Sequence, residues 1–319
     1  MSRSLPKRLT ALPVLAAVAA GLTACALINH RAAKQAEQRH PPSGRFIEID
    51  GVRLHYIERG RGQPLVLVHG NGSMIADFES SGLIALAGRN YRVIVFDRPG
   101  YGYSSRPRTR IWTAGAQADL FRKALVQMGA SPALVLGHSW GSLVALELAL
   151  RHPEAVSGLI LCGGYYYPSA RLDALLASTA AVPVLGDIMC ATAVPVLSRM
   201  LWRRFLRKIF APAPIPAKFR RFPKEMALRP VQLRTAAAES GLLLPVAFAG
   251  ARRYSGVQVP VGILAGADDR LISTKAQSVR LHRVIPHSTF KSTPGAGHMI
   301  HQTDPQAVME VIDKVAARC

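Results

Sequence analysis

The sequence predicts an α/β fold: a mostly parallel central sheet flanked by helices, with a helical cap inserted near its middle. Three observations carry the prediction. Short uninterrupted apolar runs recur along the chain, as they do in strands buried on both faces. Helix-length patterns separate these runs, including Thr113 to Met128 and Trp140 to Arg151. From Tyr165 to about Gly256 the alternation stops, and apolar pieces broken by Pro183, Pro195, Pro230 and Pro245 replace it. A chain of 319 residues, 49% hydrophobic and 18% charged, can bury the core such a fold requires.

The elements follow in order. Residues 1–28 hold Arg3, Lys7 and Arg8 and then an uncharged stretch from Leu9 to Asn29, the composition of a signal or anchor segment. Two attachments fit it. Leu22-Thr23-Ala24-Cys25 is similar to a bacterial lipobox, which would lipidate Cys25. The stretch is also long enough for a single spanning helix. Either attachment implies membrane association in a bacterial cell envelope, whereas an ordinary cleaved signal, the third reading, would leave no anchor. Residues 29–44 are polar, contain Pro41-Pro42, and read as a tether. The fold is expected to start at Arg45, where "RFIEID-GVRLHYIERG" alternates around Asp50-Gly51 as a β-hairpin does. The runs "PLVLVHG", "YRVIVFD", "ALVLGHS" and "VSGLILCGG" carry a first core part over 45–164. The cap takes 165–256, and "PVGILAG" and "STFKSTPG" begin and continue a second core part over 257–319.

The net charge is +21, which calls for an anionic partner such as lipid or nucleic acid. No nucleic-acid-binding signature accompanies it, so no nucleic-acid partner is expected. In the cap, the apolar run from Leu175 to Leu201 leads into Arg203, Arg204, Arg207 and Lys208, with Arg220 and Arg221 beyond. That order suits either a solvated face over a cap core or a segment lying in an anionic membrane interface. The four cysteines, Cys25, Cys162, Cys190 and Cys319, form no paired motif. No metal and no cofactor is expected, because a His298–His301 pair lacks an evident third ligand.

The chemistry is concentrated in "LVLGHSWGSLVAL", residues 134–146. A G-x-S-x-G between a strand and a helix holds its serine on a sharp turn, so Ser139 is exposed at the sheet's C-terminal edge. A serine hydroxyl is a weak nucleophile and requires a base oriented by an acid. Candidates follow the next strands in the order Asp then His, in "LAGADDRLIS" and "PGAGHMI".

With "HGNG" at 69–72 and "DRPGYGYS" at 97–104, residues 45–319 resemble the α/β-hydrolase superfamily, in its capped esterase, epoxide hydrolase and dehalogenase-like branch. The resemblance implies Ser139 as nucleophile, His298 as base and Asp269 as acid, with Asp268 competing for the acid's place. It implies an oxyanion hole from the backbone N–H groups of Asn71 and Trp140. His69, His138 and His301 are expected to support loops or packing. Relatives that open epoxides or remove halide carry aspartate where this chain has Ser139, which leaves acyl transfer to water. The leading expectation is therefore a membrane-tethered serine hydrolase acting on a small-molecule or lipid-like ester. Proline iminopeptidase-like cleavage, C–C bond hydrolysis and perhydrolysis would use the same triad, and an inactive membrane-bound scaffold is the reading from another class. Neither acyl group nor oligomeric state follows from the sequence.

Overall fold

The computed structural model describes residues 11–319; Arg3, Lys7 and Arg8, which frame the expected signal, lie outside the described residues. The eight strands are β1 (Arg45–Ile49), β2 (Val52–Arg59), β3 (Gln63–Val68), β4 (Tyr91–Phe96), β5 (Ala133–His138), β6 (Val156–Cys162), β7 (Val261–Gly266) and β8 (Thr289–Thr293). They form one sheet in the order β1-β2-β4-β3-β5-β6-β7-β8. The β1–β2 hairpin and the β2–β4 pair are antiparallel, and every other neighbour is parallel.

The helices are α1 (Ala11–Arg39), α2 (Ile75–Ser81), α3 (Leu83–Ala87), α4 (Ala114–Gln127), α5 (Trp140–Arg151), α6 (Leu172–Ser178), α7 (Leu185–Ala191), α8 (Ala193–Phe210), α9 (Lys224–Ala227), α10 (Pro230–Ala251), α11 (Arg280–Val284), α12 (Ile300–Thr303) and α13 (Pro305–Ala316). Side chains alternate across each buried strand. Val66, Val68, Val135 and Leu161 meet α4 and α5 on one face. Leu65, Leu67, Leu134 and Leu136 meet α2, α3 and α13 on the other. This double burial is why the strands read as unbroken apolar runs. Thr113 caps α4, its hydroxyl accepting from the Ala116 N–H at 3.1 Å.

The cap comprises α6 to α10, and residues 165–256 contain no strand. One expectation needs correction. The segment 29–44, read as a tether, continues α1 through Arg39. Ala32-Ala33-Lys34-Gln35-Ala36-Glu37-Gln38 is rich in strong helix formers, and no breaker occurs before Pro41. This half of α1 is docked. Asn29 is buried and donates to the carbonyls of Ala191 (2.9 Å) and Thr192 (2.8 Å), while Arg199 donates to its Oδ1 at 2.9 Å. Glu37 accepts from the buried Arg229 at 2.9 Å, and Tyr103 donates to the Glu37 carbonyl at 3.2 Å. The outer half differs, since Val14, Leu15, Val18 and Leu22 are exposed.

Candidate active site

β5 ends at His138 and α5 begins at Trp140, leaving Ser139 as the hinge between them. Its φ of +53° and ψ of −119° are sterically costly for a residue with a side chain, a form of strain that collects at functional sites. The two flanking glycines make the turn possible. A Cβ on Gly137 would lie 2.4 Å from the Gly141 carbonyl oxygen, and one on Gly141 would lie 2.1 Å from that of Val68. Both obstacles are backbone, which cannot swing aside.

The loops after β7 and β8 supply Asp269 and His298. Asp269 Oδ2 lies 2.8 Å from His298 Nδ1, while its Oδ1 accepts from the backbone N–H groups of Leu271 (2.7 Å) and Ile272 (2.9 Å). Burial alone would raise the Asp269 carboxyl's pKa. The neighbouring His298 and the two backbone donors outweigh it and hold the group below the ordinary carboxylate range. Asp268 faces elsewhere, with its Oδ2 accepting from the Gly295 N–H at 2.8 Å. Ser139, Trp140, Asn71 and His298 line one cavity of about 560 Å³. The cap's contribution to its wall is largely apolar, from Leu201, Trp202 and Phe205 on α8 and Leu233, Ala236 and Leu243 on α10. Trp140 is the first residue of α5, where a backbone N–H has no helical acceptor. Neither that N–H nor the one of Asn71 has a partner among the described residues.

The other histidines brace this arrangement. His69 Nδ1 is 2.9 Å from the Gly70 carbonyl oxygen, so it donates there, and Nε2 accepts from the Arg98 N–H at 3.0 Å. Burial, then the Arg98 charge, brings its pKa down to about 4. His138 Nε2 is 3.1 Å from the His298 carbonyl oxygen. Burial, followed by the charges of His301 and His298, holds His138 well below the ordinary histidine range. His301 lies 3.1 Å from Asp77 rather than sharing a site with His298.

A buried network that sequence reading missed ties the Asn71 loop to the cap. Arg98 and Glu239 have no exposed side-chain surface and form an ion pair. Arg98 also donates to the carbonyls of His69 (2.8 Å) and Gly70 (2.9 Å) and to Gln117 (3.0 Å). Tyr101 donates toward Asn71 Oδ1 and Glu239 Oε2, both at 2.7 Å. Asn71 Nδ2 in turn donates to the Ala236 carbonyl and the Ser240 hydroxyl, both at 3.1 Å. The available signal was Glu239 itself, a lone acid inside the apolar "AAAESGLLLP".

Comparison with known proteins agrees with this architecture. A family model described as alpha/beta hydrolase fold matches residues 63–305. The chain is 35% identical to a 2-hydroxymuconate semialdehyde hydrolase of Pseudomonas sp. over 145 residues, 44% of this chain. That alignment spans 51% of the relative, about half its length. Haloalkane dehalogenase 2 of Mycobacterium bovis is 24% identical over 86% of this chain and 95% of that one. Among solved structures, a bacterial membrane phospholipase A superposes with a TM-score of 0.68 at 22% identity, covering 98% of this chain and 99% of that one. With the family model covering most of its length, the chain belongs to the alpha/beta hydrolase fold family, and it is a hydrolase.

Proposed function

We propose that this protein is a membrane-tethered serine hydrolase that cleaves esters of apolar acyl groups through an acyl-enzyme on Ser139. The observation that carries the reading is the convergence of the Asp269–His298 pair and the strained Ser139 on one apolar cavity. In this mechanism His298 Nε2 takes the Ser139 hydroxyl proton as Oγ attacks the ester carbonyl carbon. Asp269 fixes the tautomer by accepting from Nδ1–H and stabilises the imidazolium that forms. The oxyanion is met by the N–H groups of Asn71 and Trp140. Collapse breaks the ester C–O bond, and the proton on His298 goes to the departing alkoxide. His298 then deprotonates a water that attacks the acyl carbon, which releases the acid and returns the proton to Ser139.

Four features support a lipid-like substrate and a membrane position. The cap wall of the cavity is largely apolar. The cap exposes Leu175, Leu176, Ile188, Met200 and Phe205, and α8 carries Arg203, Arg204 and Arg207. Pro13–Arg39 is long and apolar enough to cross a membrane. The similarity to a membrane phospholipase A extends over this helix as well as the fold. An uncleaved N-terminal helix is favoured over lipid on Cys25, because Cys25 lies within continuous α1 with its thiol directed at the Thr192 carbonyl (3.4 Å). The partial match to 2-hydroxymuconate semialdehyde hydrolase favours C–C bond hydrolysis as the second reading.

One experiment separates these. Full-length protein in detergent is assayed on p-nitrophenyl and glycerol esters of increasing chain length beside a dienoate C–C substrate, with fluorophosphonate labelling of wild type and Ser139→Ala. The proposal expects long-chain ester turnover and labelling that Ser139→Ala abolishes. Preference for the dienoate would install the second reading, and equal labelling of Ser139→Ala would remove the nucleophile. Carbonate-resistant membrane fractionation without alkyne fatty-acid label on Cys25 is expected for the spanning helix.

A further inference from the structure

A second cavity, of about 840 Å³, lies against the other side of α10. The helix is a wall between the two. Leu233, Ala236, Ser240 and Leu243 recur at helical spacing on the catalytic side, and Val231, Arg234, Ala238 and Gly241 recur on the far side. The second cavity takes nothing from Ser139, His298 or Asp269.

Its polar wall is cationic. Arg106, Arg108 and Arg110 come from the loop before Trp112, Arg234 comes from α10, and Asp187 of α7 is the single lining acid. Asp187 is already engaged. It takes Arg108 through both oxygens, at 2.9 and 3.2 Å, and Arg234 Nε at 2.9 Å. Donors remain beyond what it satisfies. Arg234 Nη1 is buried with no partner among the described residues. The side chain of Arg106 is held by the Pro99 carbonyl at 3.1 Å, and burial depresses its pKa. Arg110, exposed at the mouth, lies over the Trp112 ring at 4.0 Å. Four guanidinium groups thus face one carboxylate: Arg108 and Arg110 at the exposed mouth, Arg106 half-buried, and Arg234 with a buried donor that has no partner among the described residues.

We propose that this cavity binds a phosphate group. A tetrahedral phosphate offers several oxygens to guanidinium forks at once and carries up to about two negative charges, whereas a lone carboxylate carries one and offers two oxygens in one plane. Ile111 and Val184 form an exposed apolar rim. The same chemistry is available on a soluble phosphomonoester and on an anionic lipid headgroup.

The test uses full-length protein in detergent and an Arg110→Gln/Arg234→Gln variant, with Arg110→Gln alone as a milder second variant. Inorganic phosphate and glycerol 3-phosphate are titrated by calorimetry, with acetate as control. In a parallel arm, reconstituted protein is assayed for retention of short-chain fluorescent phosphatidic acid against phosphatidylcholine. The expected result is saturable phosphate binding that the double variant weakens tenfold or more and the single variant weakens less, with acetate silent. Variant-sensitive binding of glycerol 3-phosphate assigns a soluble ligand. Variant-sensitive retention of phosphatidic acid alone assigns a headgroup. Hydrolysis of a short soluble ester stays at the wild-type rate in both variants, which separates this site from the catalytic one and reports an intact fold. Absence of saturable binding in both arms, or equal binding by wild type and double variant, overturns the proposal.

Discussion

Replacing Glu239 by glutamine removes the carboxylate that faces Arg98 while preserving side-chain shape. Both side chains are fully buried. Burial disfavours the charge on each, and each holds the other ionised, with Arg98 pushed above and Glu239 below their ordinary ranges. Breaking such a pair from one side costs about 3–5 kcal/mol, because an uncompensated charge stays buried. With an unfolding entropy of about 2.1 cal/mol/K per residue over roughly 300 residues, a loss of about 4 kcal/mol lowers Tm by about 6 °C. The assay is thermal unfolding of the full chain in detergent, paired with steady-state kinetics. Catalysis should fall too, since Arg98 grips the carbonyls of His69 and Gly70 and Tyr101 links Glu239 to Asn71. A displaced oxyanion donor costs about 10²–10³ in kcat, with a smaller change in KM. The double replacement Arg98→Met/Glu239→Leu should regain only part of the stability and none of the kcat, because the lone buried charge is gone but the two loop carbonyls still lack their donors. A Tm within 1–2 °C of wild type for Glu239→Gln, with kcat unchanged, would refute the reasoning.

Asp269→Asn should lower kcat by about 10⁴ by stabilising the wrong His298 tautomer, while Asp268→Asn, which loses only a loop bond to Gly295, should remain within a few-fold; stopped-flow acylation measures both. His69 is held neutral with a pKa near 4, against an ordinary value near 6.5 in the unfolded chain. Between those pH values the unfolded chain binds a proton that the folded chain refuses, so stability falls as pH drops through the window. At 1.36 kcal/mol per pH unit the contribution comes to about 3 kcal/mol, and it should vanish from denaturant titrations of His69→Gln across that range. Gly141→Ala drives a methyl into the Val68 carbonyl and should cost about 1–3 kcal/mol or more, read as a lower Tm together with lost fluorophosphonate labelling.

The strands were legible because burial on both faces leaves no polar alternation, and the Ser139 turn because it needs glycine at both 137 and 141. Other parts were not, for identifiable reasons. Arg98 and Glu239 are 141 residues apart, and no local pattern announces that a buried arginine will meet a particular acid. Polar composition made residues 29–39 read as linker, although their helix formers and the delay of the first breaker to Pro41 pointed the other way. Only the docked partners, Arg229 for Glu37 and the Ala191 and Thr192 carbonyls for Asn29, reveal why that helix stays folded.

That docking gives the molecule no seam between its N-terminal rod and its lid. A helix of 29 residues is about 44 Å long, and its inner half grips α7 and α8 through Asn29, the Arg229 ahead of α10 through Glu37, and the core loop through Tyr103. A tilt of the rod therefore acts as a lever on the cap over Ser139, and a swing of the cap must drag the rod with it. A chain begun at Arg45 would be more than an enzyme cut loose. It would leave Arg229 buried against a missing carboxylate, and it would strip one wall of support from the lid that shapes the catalytic cavity.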